Sequence, residues 1–328
     1  MKDCWKRFIL VKLPITLLVV VMVVEALAFV LEKVRPNRHD LDRLAMLADR
    51  SHATIIPSIL VFGDSVTQDV LKTFKIGFEG QVANLTTNKA SGLIGSYLLL
   101  KRYLQNYSAP KTVIFASSPE FFAFFPTGDV ADIYLKSVFY HMDEQSYIQN
   151  YLNERKVSAS LSLLNLKERI GSKIIALLTP TPTRFPMGQR VPNDETATED
   201  ATVQAVVLKD ILTRAERSIA IPSQNSEVFS DICSLAKKHN FNIHVIFAPV
   251  PKSIHKAWEK NQAYASFEIQ LRELVNSGCQ NATVSLHGIL ATVPDSMMRD
   301  GDHLVRHRGT NFYAAKLGEF TAGLMSSF

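Results

Sequence analysis

Three residues near the two ends of the sequence have the types and spacing that nucleophilic catalysis needs. Ser65 follows an apolar run in LVFGDSVTQD (60–69), where the pattern predicts the end of a strand and the start of a helix. A serine is a weak nucleophile unless a base lies within hydrogen-bond reach and another group orients that base. His303 and Asp300, in DGDH (300–303), have a spacing that lets the carboxylate reach one ring nitrogen from a tight turn. These three residues are therefore the candidates for a catalytic triad.

The same residues also have simpler explanations. Gly-Asp-Ser is ordinary turn chemistry, so the first motif alone does not identify a nucleophile. Asp302 is an alternative orienting acid, although a residue adjacent to the histidine is harder to aim at its ring. His303 and His307 have the i, i+4 spacing of a metal-binding pair, but no third ligand is suitably spaced and Gly309 argues against a continuing helix. We therefore expect no metal and no cofactor.

The elements that must position these residues alternate between strands and helices. Each predicted strand is a short run rich in Val, Ile and Phe and bounded by turn residues: TIIPSILVFG, QVANLTT, KTVIFASS, FNIHVIFAPV and ATVSLHG. Helices are predicted at 66–74, in SGLIGSYLLLKRYLQNY, near 203–218, 224–239 and 258–276, and after Gly309. This alternation predicts an α/β fold with a parallel sheet covered on both faces. Ligands of such sheets bind beyond the carboxyl ends of the strands, where Ser65 is expected.

Two motifs together resemble those of the GDSL/SGNH hydrolase superfamily. They are VFGDSVTQ near the start of the folded region and DGDHLVRHRG near its end, and the resemblance covers roughly residues 55–325. It implies a flavodoxin-like α/β/α sandwich of the SGNH type. It also implies that Ser65 is the nucleophile, Asp300 the orienting acid and His303 the general base.

The resemblance further implies an oxyanion hole with three donors. The first is the N–H of Ser65, and the second is Gly92 in NKASGLIG. The family's third donor is the asparagine of a Gly-x-Asn-Asp block, where this sequence has Ser118, with Pro119 in place of the aspartate. A serine hydroxyl donates over a shorter reach than an amide, so this departure puts the rate and the oxyanion geometry in question.

The N-terminus predicts a membrane anchor. A short basic segment, 1–12, precedes Leu13–Leu31, a run of 19 residues whose single charge is Glu25 and which is long enough to cross a bilayer as a helix. A cleaved signal peptide is the alternative, because Ala26-Leu27-Ala28 is similar to a cleavage site. We expect residues 13–31 to hold the protein in the membrane as a single-pass anchor, with the catalytic domain extracytoplasmic, in the periplasm or at the cell surface.

The rest of the chain is predicted to form a stalk and one domain. The stalk or entry helix is 32–54, and the α/β domain is 55–328. Within that domain we expect a helical insertion at about 129–178 and a flexible loop at about 179–202, which is dense in Pro, Thr and acidic residues.

Net charge and cysteine content limit the kinds of partner and compartment that are expected. The formal net charge is +5, and the basic residues are scattered without an interleaved aromatic platform, so nucleic-acid binding is not expected. Of three cysteines, Cys233 and Cys279 are compatible either with a disulfide, if the domain is extracytoplasmic, or with two buried thiols.

The leading functional expectation is a serine esterase or O-acyltransferase. An anchor joined to such a domain with a degenerate third block resembles the envelope branch of the superfamily, which adds or removes acyl groups on cell-surface glycans, as alginate O-acetylation and teichoic-acid D-alanylation proteins do. We therefore expect a glycan or acyl-ester substrate and an envelope protein as acyl donor. A catalytically weak domain that binds glycan or an envelope partner is one alternative. A lipid or lysophospholipid esterase is another, with the apolar residues of EFFAFFP (120–126) lining an acyl pocket.

Overall fold

A computed structural model of the protein describes residues 12–16, 19, 22, 40–49, 57–71, 81–153, 201–280 and 282–326. The chain forms two compact units, one from residues 1–46 and 136–181 and the other from residues 47–135 and 182–328. No helix of the described residues is long and apolar enough to cross a membrane. Most of the expected anchor, the second half of the expected insertion and nearly all of the expected loop at 179–202 lie outside the described residues.

The larger unit is built on a parallel sheet. The strands of its described residues are β1 Ile59–Phe62, β2 Val82–Asn84, β3 Thr112–Ser117, β4 Asn242–Phe247, β5 Val250–Pro251, β6 Val284–Ile289 and β7 Thr292–Val293. Five of them form one sheet in the order β2-β1-β3-β4-β6, and every pairing is parallel. The short strands β5 and β7 form a separate parallel pair. The prediction of an α/β fold with a parallel sheet is confirmed.

The centre of the sheet is apolar because its central strands are buried on both faces. Every residue of β1 and β3 is buried, so these strands have no alternation of polar and apolar residues. In register, Leu60 lies beside Val113, and Val113 lies beside Ile243 of β4. The edge strand β6 differs, since its side chains are half-buried or exposed.

The helices follow the predicted alternation with one exception. Those with described residues are α1 Asp40–Ala48, α2 Ser65–Leu71, α3 Gly92–Asn106, α4 Pro119–Ala123, α5 Gly128–Ala131, α6 Met142–Tyr151, α7 Ala201–Ala215, α8 Ser223–His239, α9 Lys252–Lys260, α10 Ala263–Gly278 and α11 Arg308–Met325. The single helix predicted near 258–276 is wrong, because α9 and α10 are separated there. The break lies at Gln262, whose backbone is left-handed with φ 57° and cannot continue a right-handed helix.

An aromatic cluster fills the space on one face of the sheet. Phe122 of α4 packs edge-to-face against Phe115 of β3, Phe229 of α8, Phe247 of β4 and Phe267 of α10, with ring centroids 5.8–6.5 Å apart. The segment that follows β3 is therefore anchored in the core from its first turn.

A disulfide joins α8 to the end of α10. Cys233 and Cys279 are both buried, and their Cα atoms are 5.1 Å apart. The two helices approach closely here, since a Cβ added to Gly278 would lie 2.1 Å from the Ser230 Oγ. Of the two states that the sequence left open for these cysteines, the structure has the disulfide.

The smaller unit contains α6. The backbone N–H of His141 donates to Glu144 Oε2 (3.0 Å), which fixes the start of this helix. The Gln145 side chain donates to the carbonyl oxygens of Lys136 (2.9 Å) and Phe139 (2.5 Å) and so holds the preceding turn. The expected insertion is helical over much of its described part, and its residues from 154 onward lie outside that part.

Candidate active site

Ser65 lies at the carboxyl edge of the sheet, where a tight turn joins β1 to α2. The turn passes so close to β3 that a Cβ added to Gly63 would lie 1.8 Å from the Ala116 carbonyl oxygen. Only glycine fits there, which explains the first residue of the Gly-Asp-Ser motif. Ser65 is the first residue of α2 and is half-buried.

The structure brings the three candidate catalytic residues together across 238 residues of sequence. Ser65 Oγ lies 2.8 Å from His303 Nε2. The other ring nitrogen, Nδ1, lies 3.0 and 3.1 Å from the two carboxylate oxygens of Asp300. When Nδ1 carries the proton and donates to Asp300, Nε2 is free to accept the proton of Ser65. The contacts thus run from a possible nucleophile to a base and from the base to an orienting acid, as in a catalytic triad.

Asp300 also organises its own turn. Its Oδ1 accepts hydrogen bonds from the backbone N–H groups of Asp302 (2.8 Å) and His303 (2.7 Å). Asp302, the alternative orienting acid, faces cations instead: Arg217 Nη1 at 3.2 Å and Lys89 Nζ at 3.5 Å. The structure therefore assigns the orienting position to Asp300.

The electrostatics of the pair favour an ionised acid and a more basic histidine. Burial raises the pKa of Asp300, but hydrogen bonds from the His303 side chain and backbone outweigh it and hold that pKa well below its usual range. The hydrogen bond to Asp300 raises the pKa of His303 against the opposing effect of burial. Of the other charges facing the ring, Arg299 lowers the pKa of His303 and Asp69 raises it. His303 thus becomes neutral, and able to act as a base, only above the usual pH for a histidine.

Both hydrogen-bond donors of Ser118 are engaged within the protein. Both of its donors go to Asp64 Oδ2, the N–H at 2.9 Å and the hydroxyl at 2.6 Å. Asp64 is buried, and its other oxygen accepts the N–H of Val66 (3.2 Å) in the first turn of α2. Ser118 therefore ties the end of β3 to the Gly-Asp-Ser turn, and its expected role as an oxyanion donor stays a prediction.

Gly92 has the backbone that only glycine adopts readily, but its N–H is also engaged. Its φ is 60°, and an added Cβ would lie 3.2 Å from Pro126 Cδ. The N–H donates to the Lys89 carbonyl and closes the 3₁₀ turn Lys89–Ser91. Of the three expected oxyanion donors, the Ser65 N–H alone finds no acceptor among the described residues. In the described part of the chain the three candidate triad residues are therefore in contact, while the donors of Ser118 and Gly92 are engaged within the protein.

A buried pair of hydroxyl groups holds α2, which begins at Ser65, against α11, which follows His303 in the chain. Thr67 Oγ1 of α2 donates to the Ala116 carbonyl (2.6 Å) and lies 2.9 Å from the Tyr313 hydroxyl of α11. Because the single proton of Thr67 goes to Ala116, Tyr313 donates to Thr67. Both side chains are fully buried, so this pair fixes the two catalytic segments against β3.

One buried charge pair beside the site was missed by the sequence analysis. Glu120, in the first turn of α4, pairs with Arg214 in the last turn of α7. Arg214 also donates to the backbone carbonyl of Gly301 (3.0 Å), in the Asp-x-x-His turn. The available signal was a lone carboxylate within an apolar run, since Glu120 is the one charge in PEFFAFFP.

The other histidine pairs do not form a metal centre in the described part of the chain. No group of three or more His, Cys, Asp or Glu side chains there is arranged to hold a metal ion. His307 directly precedes α11 with a left-handed φ of 65°. His244 and His287 pair with each other at 3.0 Å on β4 and β6.

The sequence matches no protein-family model. It has no significant match among curated proteins either. The motifs of the sequence and the geometry of the site are therefore the features that point to a function.

Proposed function

We propose that the protein is a membrane-anchored, extracytoplasmic serine esterase or O-acyltransferase of the GDSL/SGNH type that acts on acyl groups of cell-envelope glycans. The observation that carries this proposal is the chain of contacts from Ser65 Oγ through His303 to Asp300. In the first step Ser65 attacks the acyl carbonyl while His303 accepts the hydroxyl proton, and the imidazolium then protonates the leaving alcohol. In the second step His303 deprotonates water or a sugar hydroxyl, whose oxygen attacks the acyl carbonyl. The imidazolium then returns the proton to the Ser65 oxygen as the acyl–serine bond breaks, which restores the starting state.

The topology supports the family part of the proposal. With the two-residue strands left out, the sheet has the order 2-1-3-4-5, which is that of flavodoxin-like folds. Ligands in such folds bind beyond the carboxyl ends of the strands. Ser65 follows β1 and Ser118 follows β3, so the two segments that the resemblance singles out lie at that edge.

The disulfide supports the extracytoplasmic part. Disulfides persist in oxidising compartments and are rare in the cytosol. A buried Cys233–Cys279 bond, together with the apolar run Leu13–Leu31 in the sequence, fits a domain held outside the cytoplasmic membrane.

A catalytically weak domain that binds glycan is the second candidate, and one observation favours it. The donors of Ser118 and Gly92 are engaged within the protein, and losing a single oxyanion donor typically costs about 2.7–4 kcal/mol of transition-state stabilisation. The lipid esterase has less support. Phe121 and Phe122 of the expected acyl pocket are buried in the core, and only Phe124 and Phe125 of its phenylalanines are half-exposed.

Covalent labelling by a fluorophosphonate probe tests the proposal. We expect wild-type protein to be labelled and the label to map to Ser65, while Ser65→Ala loses both labelling and p-nitrophenyl acetate hydrolysis. The matched control is Ser234→Ala, because Ser234 is an exposed serine on α8. An unlabelled wild type, under conditions that label a known esterase, refutes the enzyme and favours the binding domain.

Substrate choice then separates the remaining possibilities. An envelope-glycan enzyme should cleave or transfer acetyl groups on sugars, whereas a lipid esterase should prefer long-chain esters. Release of free acetate from an O-acetylated oligosaccharide indicates hydrolysis, and appearance of a new acetylated sugar indicates transfer. Preference for long acyl chains would contradict the proposed substrate class.

A further inference from the structure

The Glu120–Arg214 ion pair is unusual because both residues are buried and both carboxylate oxygens accept hydrogen bonds from the guanidinium. Arg214 is 2 % exposed and Glu120 is 5 % exposed. The guanidinium meets the carboxylate in a two-pronged arrangement, with Nε on Oε1 and Nη2 on Oε2 at 3.0 Å. A buried ion pair contributes little to stability compared with apolar residues of similar volume, because both charges must be desolvated. Its presence therefore calls for a role other than holding the core together.

The third nitrogen of Arg214 points to that role. Its Nη1 donates to the carbonyl oxygen of Gly301 at 3.0 Å. The same peptide unit continues into the N–H of Asp302, which donates to Asp300 Oδ1 at 2.8 Å. Because a peptide unit is planar, fixing its carbonyl direction also fixes its N–H direction. Arg214 thus acts on the carboxylate of Asp300 through one rigid group.

The backbone of α7 reinforces this contact. A Cβ added to Gly301 would lie 2.8 Å from the carbonyl oxygen of Asp210, so the turn lies directly against the helix. Asp302, next in the turn, faces three cations: Arg214 itself, with Nε 3.4 Å from Oδ1, Arg217, which follows the same helix, and Lys89. Glu120 in turn holds Arg214 to the segment after β3. The Asp-x-x-His turn is therefore clamped from several separate parts of the chain.

We propose that Arg214 is a positioning residue, which holds the Gly301–Asp302 peptide so that Asp300 aims the His303 ring at Ser65. The inference rests on the proposed acyl-transfer function of Ser65 and His303. The guanidinium of Arg214 contacts Glu120, the Gly301 carbonyl and Asp302, and none of them is Ser65, His303 or Asp300. It acts on the orientation of the acid, and the Glu120 carboxylate keeps the guanidinium in place.

The test is a double variant that removes both charges, Glu120→Leu with Arg214→Met, in the full chain purified in detergent. Replacing both partners by apolar residues leaves no unpaired buried charge, so this variant is designed to fold. Its matched control is Arg102→Met with Asp49→Leu. This pair removes the buried arginine of α3 and its partner carboxylate, which directly follows α1 (3.2 Å), and neither residue belongs to the Asp-x-x-His turn. Arg214→Lys, which keeps the charge without the fork, serves as a second variant.

The first measurement is the titration of the His303 ring, followed by NMR with isotope-labelled histidine and assigned with His303→Gln. We expect the double variant to lower the pKa of His303 toward the ordinary value of about 6.5, since Asp300 no longer aims at it. Arg214→Lys should shift it in the same direction by less, and the control pair should leave it unchanged. If the His303 ring has the same pKa in the double variant and in Arg214→Lys as in the wild type, the proposal is overturned.

The second measurement is ester hydrolysis per folded molecule. We expect kcat to fall about 100-fold in the double variant with KM unchanged, because the loss concerns orientation of the base. An equal fall in the control pair would mean that any buried arginine has this effect and would refute the positioning role. The titration does not need turnover. A wild type without esterase activity or probe labelling therefore refutes the proposed function, and the His303 titration still decides the role of Arg214.

Discussion

Replacing Asp300 by asparagine probes the centre of the proposed mechanism with the smallest change in shape. The amide oxygen of the introduced side chain can still accept the backbone N–H groups of Asp302 and His303, so the turn is expected to keep its form. The amide NH₂ would then face His303 Nδ1 and donate to it. That contact favours the tautomer with the proton on Nε2, which cannot accept the proton of Ser65.

The magnitude follows from the exposure of the carboxylate. The same substitution in a Ser-His-Asp triad with a buried aspartate lowers kcat by about 10⁴-fold, or about 5 kcal/mol at 1.36 kcal/mol per factor of ten. Here the Asp300 side chain is 39 % exposed, so water screens part of its interaction with the imidazolium. We therefore expect a fall in kcat of about 10³-fold, or about 4 kcal/mol.

The pH profile gives a second, independent signature. In the wild type the active form has a neutral His303, and the Asp300 hydrogen bond raises the pKa of that histidine. Activity should therefore rise with pH through a midpoint above the ordinary histidine value of about 6.5. In Asp300→Asn the raising contact is lost, so the midpoint moves to lower pH while the plateau falls.

The assay is p-nitrophenyl acetate hydrolysis across the titration range of His303, normalised to the folded fraction from circular dichroism. Asp295→Asn is the matched control, because it makes the same chemical change in a carboxylate that accepts the backbone N–H of Ser253 (3.2 Å). We expect this control to keep the wild-type plateau and midpoint. A plateau within about tenfold of the wild type in Asp300→Asn, with an unmoved midpoint, would refute the assigned role of Asp300.

Two further substitutions test the surroundings of the triad. Because Ser118 donates to buried Asp64, Ser118→Ala should lower the free energy of unfolding by about 1.5–3 kcal/mol in urea titrations and lower kcat less than about tenfold. A fall of about 10²–10³ in kcat without loss of stability would restore Ser118 as an oxyanion donor. The Cys233–Cys279 bond spans 46 residues, so the loss of its chain-entropy effect in Cys233→Ser with Cys279→Ser should lower the free energy of unfolding by about 4 kcal/mol. If the urea midpoint of the wild type is the same with and without reductant, the bond does not form.

Local patterns predicted the parts of the fold that depend on near neighbours. The buried strands β1, β3 and β4 are short apolar runs bounded by turn residues, and the parallel sheet follows from their alternation with helices. The predicted single helix at 258–276 failed because nothing in the apolar period marks Gln262 as left-handed. The small β5–β7 pair was missed because two-residue strands have no period to detect.

The contacts among the candidate catalytic residues were predictable for a different reason. Two glycines near the site lie against the backbone of another element. A Cβ added to Gly63 would lie 1.8 Å from the carbonyl oxygen of Ala116, and one added to Gly301 would lie 2.8 Å from that of Asp210. Such close approaches force particular residue types into the turns on either side of the site. The Gly-Asp-Ser and Asp-x-x-His motifs therefore express tertiary constraints in a few adjacent residues, and these can be recognised in the sequence.

The roles of Ser118, Glu120 and Arg214 have no such local pattern. Each is defined by partners far away in sequence: Asp64 for Ser118, Arg214 for Glu120, and both Glu120 and the Gly301 carbonyl for Arg214. A serine at the end of β3 is equally compatible with an oxyanion donor or a cap, and only the position of the Asp64 carboxylate decides between them. The triad is thus predictable from the sequence because its members lie in turns shaped by steric contact. The contacts that hold those turns in place cannot be predicted in this way, because a hydrogen bond or ion pair between distant elements involves single residues with no sequence pattern around them.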